Sequence, residues 1–106
     1  MPLTNPSSNV TVTDQLASTS TRITGATSTT AAQIIPSNTS RLGLTIYNPT
    51  SITVYIDTVA SPTASQHQFP LSAKGFYEMP DNKIYTGAFY AIAASGTPTL
   101  EIREFT

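Results

Sequence analysis

Between Arg41 and Asp57 the chain reads RLGLTIYNPTSITVYID, a stretch that leaves little choice but a pleated strand. Leu42, Leu44 and Ile46 fall on one side of a period of two, with Gly43, Thr45 and Tyr47 on the other; Ile52, Val54 and Ile56 then alternate with Thr53, Tyr55 and Asp57. A helix would spread these apolar positions around its circumference. The interruption, Asn48-Pro49-Thr50-Ser51, supplies turn chemistry: Asn tolerates unusual backbone angles, Pro fixes φ, and Ser or Thr bonds back to the main chain. The local expectation is a β-hairpin with one buried face and with Tyr47 and Tyr55 together on its outer face.

The remaining punctuation repeats this theme. Ala31 to Ile35 reads as a short first strand stopped by Pro36, and the folded region is expected to start there. Val59 to Gln68 is a loop, Lys74-Gly75 and Asp81-Asn82-Lys83 are turns, and Phe76 to Met79 is a short strand ended by Pro80. Ala88 to Ala94 is almost wholly apolar and reads as a central strand buried on both faces. A helix competes there, but Gly87 and Ser95-Gly96 leave it only about two turns. Thr99 to Phe105 closes the chain with Leu100 and Ile102 inward and Glu101 and Arg103 outward. Together these features predict an all-β fold, a small antiparallel β-sandwich of jelly-roll or immunoglobulin-like type, with a small barrel as the competing form. The expected core is Ile34, Leu42, Leu44, Ile46, Ile52, Val54, Ile56, Leu71, Phe76, Phe89, Ala91, Ile92, Leu100 and Ile102.

Residues 1–30 differ. Ser, Thr and Asn dominate, the only charges are Asp14 and Arg22, and the sizeable aliphatics are Leu3, Val10, Val12, Leu16 and Ile23. So little apolar surface does not offset chain entropy, which predicts an extended polar N-terminal arm over 1–30 attached to a sandwich domain over 31–106. The arm is either a loose leader or a segment that orders on a partner, with Val10, Val12 and Leu16 as its apolar contacts.

Charge and chemistry narrow the function classes. Only 10% of residues are charged and the net charge is −1, so the phosphate-neutralising surface that nucleic acid requires is not expected. Without cysteine there are no disulfides, thiolate metal sites or thiol nucleophiles. The opening Met-Pro-Leu-Thr-Asn-Pro lacks a basic segment followed by an apolar run, and no stretch approaches the ~18 apolar residues of a membrane span, so no membrane partner is expected. His67 sits between Gln66 and Gln68 with no nucleophile motif or orienting carboxylate beside it. Asp57, Glu78, Asp81, Glu101 and Glu104 show no paired-acid or metal-ligand spacing, and the glycines are too dispersed to cradle a phosphate. Neither catalysis nor a cofactor is expected. The tyrosines carry the binding expectation, because outward rings at Tyr47 and Tyr55 offer contact area at low entropic cost.

The run Arg41 to Ser51, then Val54-Tyr55-Ile56, Pro70-Leu71, Gly75, Ile84-Tyr85-Thr86-Gly87, Phe89-Tyr90-Ala91-Ile92 and Thr99 to Glu104, resembles a small β-sandwich found among tailed-bacteriophage virion proteins. The resemblance spans about the last two-thirds of the chain and lies in strand rhythm, with no active site to carry over. It implies a capsid cement or decoration protein, made in the host cytoplasm and seated on the outer surface of the virion. Such a protein clamps neighbouring copies of the major capsid protein, with a homo-oligomer as a further expectation. Two other roles stay open: a carbohydrate- or host-binding module using Tyr47 and Tyr55 as stacking platforms, and a neck or tail structural component.

Overall fold

A computed structural model describes residues 16–106 of the chain. Its strands are β1 (Ser20–Ala26), β2 (Ala32–Ile35), β3 (Gly43–Tyr47), β4 (Val54–Asp57), β5 (Phe69–Leu71), β6 (Phe76–Glu78), β7 (Phe89–Ala93) and β8 (Thr99–Phe105). They form two four-stranded antiparallel sheets, ordered β1-β8-β3-β6 and β2-β7-β4-β5. The chain changes sheet at every connection except β4 to β5. Of the two sandwich topologies expected, this order is the jelly roll.

The alternation read from sequence sets which side of each strand faces inward. Leu44 and Ile46 of β3, Val54 and Ile56 of β4, Phe89, Ala91 and Ala93 of β7, and Leu100 and Ile102 of β8 meet in one core. Each large side chain withdrawn from water there contributes about 1.5–3 kcal/mol. Ile34 and Ile35 are both buried although adjacent, because β2 carries a bulge between Gln33 and Ile35 that turns consecutive side chains inward.

Four expectations change. The first is the hairpin. β3 pairs with β8 and β6, whereas β4 pairs with β7 and β5, so Asn48 to Ser51 carries the chain from one sheet to the other. Period two places an apolar face inward in either arrangement and does not distinguish a hairpin from a crossing. Asn48 makes the corner: its fully buried amide nitrogen donates to the carbonyls of Ile52 (2.7 Å), Leu71 (3.0 Å) and Ser72 (3.1 Å), while its Oδ1 accepts from Thr50 N and Thr50 Oγ1. One side chain thus ties the corner to the end of β5.

The second is the boundary of the arm. Ser20–Ala26, assigned by composition to the arm, is the outermost strand of its sheet, paired with β8 from Ser20 opposite Phe105 to Ala26 opposite Thr99. An edge strand has only one face to bury, and here half-buried Ile23 and buried Gly25 suffice. Gly25 fits because a Cβ there would stand 3.0 Å from Leu100 Cβ and 2.7 Å from Ile102 Cδ1. The sandwich therefore begins at Ser20, eleven residues ahead of the expected start at residue 31. Val10 and Val12 lie outside the described residues, and Leu16 is 84% exposed.

The third is Phe76, expected in the core but 61% exposed, because β6 pairs in the register that sets Phe76 opposite the outward Tyr47. The fourth is β7. It is central, between β2 and β4, but Tyr90 and Ile92 on its outer side are only half-buried. Leu42 and Ile52 are likewise half-buried, at the ends of the sandwich.

Candidate binding surfaces

The antiparallel register arranges the outer face of the β1-β8-β3-β6 sheet in rows. One row runs Thr24, Glu101, Tyr47, Phe76, and the next runs Arg22, Arg103, Thr45, Glu78. Tyr47 and Phe76 are therefore cross-strand partners, both exposed, and form an aromatic patch at one corner of the sheet. Arg22 and Arg103 sit directly opposite each other, a repulsive placement relieved where Arg103 Nη1 approaches Glu101 Oε2 at 3.6 Å. At that exposure the pair stabilises the fold by well under about 1 kcal/mol.

β1 bounds this sheet, and no strand among the described residues pairs with its other side. The chain approaches β1 along the C-terminus, with Ser18 N donating to Thr106 O (3.2 Å) and Thr106 N to Thr19 O (2.9 Å). Edge strands offer unpaired main-chain groups to a partner chain.

Tyr55 is elsewhere. It alternates with inward Val54 and Ile56 in the other sheet, so it faces away from Tyr47 across the thickness of the sandwich. The two rings do not make one platform, and the shared outer face expected for them is corrected accordingly. Loop residues 58–68 fold back over Tyr55, whose ring lies 4.6 Å from that of His67. His67 Nδ1 in turn meets the Thr63 carbonyl at 3.0 Å, so the imidazole is held as a half-buried loop prop.

Two charged groups are inside. Arg41 is 1% and Glu104 7% exposed. Arg41 Nε donates to Glu104 Oε2 (2.8 Å), its Nη1 to the carbonyls of Tyr85 (2.7 Å) and Gly87 (2.8 Å), and its Nη2 to that of Pro36 (2.8 Å); Asn38 Nδ2 donates to the other carboxylate oxygen (3.0 Å). The cluster fastens the loops at one end of the sandwich. Among the described residues, no group of three or more His, Asp or Glu side chains converges to hold a metal ion.

Between the edges of β5 and β6 the sheets part around a cleft of about 270 Å3, lined by Thr58, Gln68, Tyr77, Met79, Pro80, Lys83, Tyr85 and Phe89. Met79 and Phe89 are buried beneath it, while Tyr85 is 40% exposed. Tyr77 stacks on Phe69 (centroids 4.4 Å, 20°), and Tyr85 stands edge-on to Phe89 (5.5 Å, 85°). Burial pushes the Tyr77 phenol above its ordinary value. Sequence reading missed this cleft because its rings come from three separate segments.

These features define a jelly-roll β-sandwich with an aromatic corner on one face and an aromatic cleft on one flank. No protein-family model, curated protein or solved structure matches the chain.

Proposed function

We propose that this chain is a structural virion protein of the cement or decoration type, which docks on the outer surface of an assembled capsid and bridges neighbouring copies of the major capsid protein. One observation carries the reading: a single sheet presents both the edge of β1, which no strand among the described residues pairs, and, on its outer face, the exposed Tyr47–Phe76 pair. The edge suits main-chain pairing with an extended segment of a neighbour, and the aromatic corner suits a buried anchor surrounded by the polar remainder of the face. The jelly roll is an architecture used by viral capsid domains, which is support by analogy of fold. Its sparsely charged surface also favours close approach to another protein, since few ionic groups have to be desolvated.

The chain is mixed with purified capsids of the virus whose genome encodes it and sedimented. Saturable binding at a fixed ratio to the capsid subunit is expected. Tyr47→Ala combined with Phe76→Ala replaces two outward side chains, so the strands remain intact, and should weaken binding by at least about tenfold. Failure of the wild-type chain to sediment with capsids at any concentration refutes the proposal, as does undiminished binding by the double variant.

A further inference from the structure

The cleft between β5 and β6 has the composition of a small-ligand site, and two of its polar side chains have no partner within the described residues. Two phenol rings, Tyr77 and Tyr85, flank it above the apolar Met79 and Phe89, with Gln68 and Lys83 among its polar lining. The Gln68 amide and the Lys83 ammonium make no side-chain hydrogen bond or ion pair within the described residues, although the smaller side chains of Thr50, Thr27 and Ser28 all do. Among the described residues, Lys83 is the one ionic side chain lining the cleft, and no carboxylate lines it.

Tyr85 is held in place by its surroundings. Its ring folds over Gly87, where a Cβ would fall 2.3 Å from Tyr85 Cζ, so the position of the ring depends on the missing side chain at 87. Its edge rests on Phe89, and its hydroxyl lies only 3.4 Å from the Thr58 carbonyl, a contact too long to saturate the hydroxyl. The result is a fixed, partly exposed aromatic surface with a spare hydroxyl at its tip. Such a ring packs against the C–H face of a pyranose, while neighbouring amide, ammonium and phenol groups bond the sugar hydroxyls around its rim. The cleft is of single-sugar size, a little under the usual range of about 300–1,000 Å3 for drug-sized ligands.

We infer that this cleft binds an acidic pyranoside, a uronic-acid-type sugar whose ring lies on Tyr85 and whose carboxylate is met by Lys83. The charge follows from the lining: a cleft whose described lining offers a cation and no carboxylate favours an anionic ligand, and a charge-assisted hydrogen bond is about twice as strong as a neutral one. The site is on the flank of the sandwich, on the other side of β6 from the outward Phe76, and does not depend on capsid docking.

The full chain, isotopically labelled, is titrated with methyl β-glucuronide and separately with methyl β-glucoside while amide shifts are followed by NMR. Saturable shifts are expected at Thr58, Gln68, Lys83 and Tyr85, with a dissociation constant on the order of 1 mM for a ligand of this size. The neutral glucoside should bind at least about fivefold more weakly. Tyr85→Ala should abolish the response to both sugars, and Lys83→Met should bring glucuronide down to the level of glucoside. Leu16→Ala, highly exposed and outside the cleft, should leave the titration unchanged and serves as the folded control. Absence of saturable shifts in the wild-type cleft overturns the inference, as do shifts that survive Tyr85→Ala or equal binding of the two sugars.

Discussion

Arg41 Nε and Glu104 Oε2 lie 2.8 Å apart inside the sandwich, although 63 positions separate the residues in sequence. The guanidinium also bonds three main-chain carbonyls and lies 5.6 Å from the centre of the Phe89 ring. Carbonyls of the loops at 36 and 85–87 are thereby satisfied by a side chain that the strand ladders could not supply.

Removing one partner of this pair is expected to be far more damaging than removing a surface charge. Glu104→Ala leaves the guanidinium buried beside an empty site and strips Asn38 Nδ2 of its acceptor, which should cost about 3–5 kcal/mol in urea unfolding. Arg41→Met with Glu104→Leu removes both charges, yet it should recover only part of that loss. The carbonyls of Pro36, Tyr85 and Gly87 would still lack their donor.

Asn48 should behave as a second fixed point. Asn48→Ala deprives the carbonyls of Ile52, Leu71 and Ser72 of one shared donor and opens the corner between β3 and β4. A loss of about 2–3 kcal/mol is expected. For a domain of this size that corresponds to a fall of roughly 10–20 °C in the thermal midpoint, measurable by circular dichroism. Asn48→Asp should not rescue it, because a carboxylate cannot donate to the three carbonyls.

The place of β1 decides how much of the N-terminus can be removed. Deleting residues 1–15 retains all eight strands of the described residues, so the unfolding midpoint should stay within about 3 °C of wild type. Deleting residues 1–30 takes β1 from β8 and uncovers the edge next to Leu100 and Ile102; that chain should melt more than about 10 °C lower or aggregate. Gly25→Ala tests the same contact with one methyl group, since the clash with Leu100 Cβ should cost about 1–3 kcal/mol and speed hydrogen exchange along β1.

Tyr77 should make stability fall at alkaline pH. Burial disfavours its ionised form in the folded chain, so the unfolded chain releases this proton first as pH rises. The contribution is present below the ordinary phenol range and is lost as pH climbs through the raised folded value. Between about pH 9 and pH 11, urea midpoints of wild type should therefore decline more steeply than those of Tyr77→Phe. Equal slopes would show that the phenol is as well solvated folded as unfolded.

Much of the architecture is legible without coordinates because it depends on local chemistry. Inward and outward positions within β3, β4 and β8 follow from period two, and Pro36, Pro80 and Gly96 mark breaks in the chain that the structure keeps. The binding surfaces are much less legible. Tyr47 is exposed as expected, but its neighbour is Phe76, which looked like core, and the candidate partner Tyr55 lies under His67 on the opposite sheet. No local rule links residues 47 and 76, because their adjacency depends on which strands pair.

The amino-acid order on its own therefore determined that this is an all-β chain and where the apolar faces of β3, β4 and β8 lie. Tertiary structure alone decided that β3 and β4 part company at Asn48, that Ser20–Ala26 is a strand of the sandwich, that Arg41 and Glu104 are buried together, and that Tyr77, Tyr85 and Phe89 surround a cleft. The physical reason is range. A pleat's alternation is satisfied within a few residues, whereas the choice of sheet is settled only when distant segments compete for the same edges and the same buried hydrogen-bonding groups.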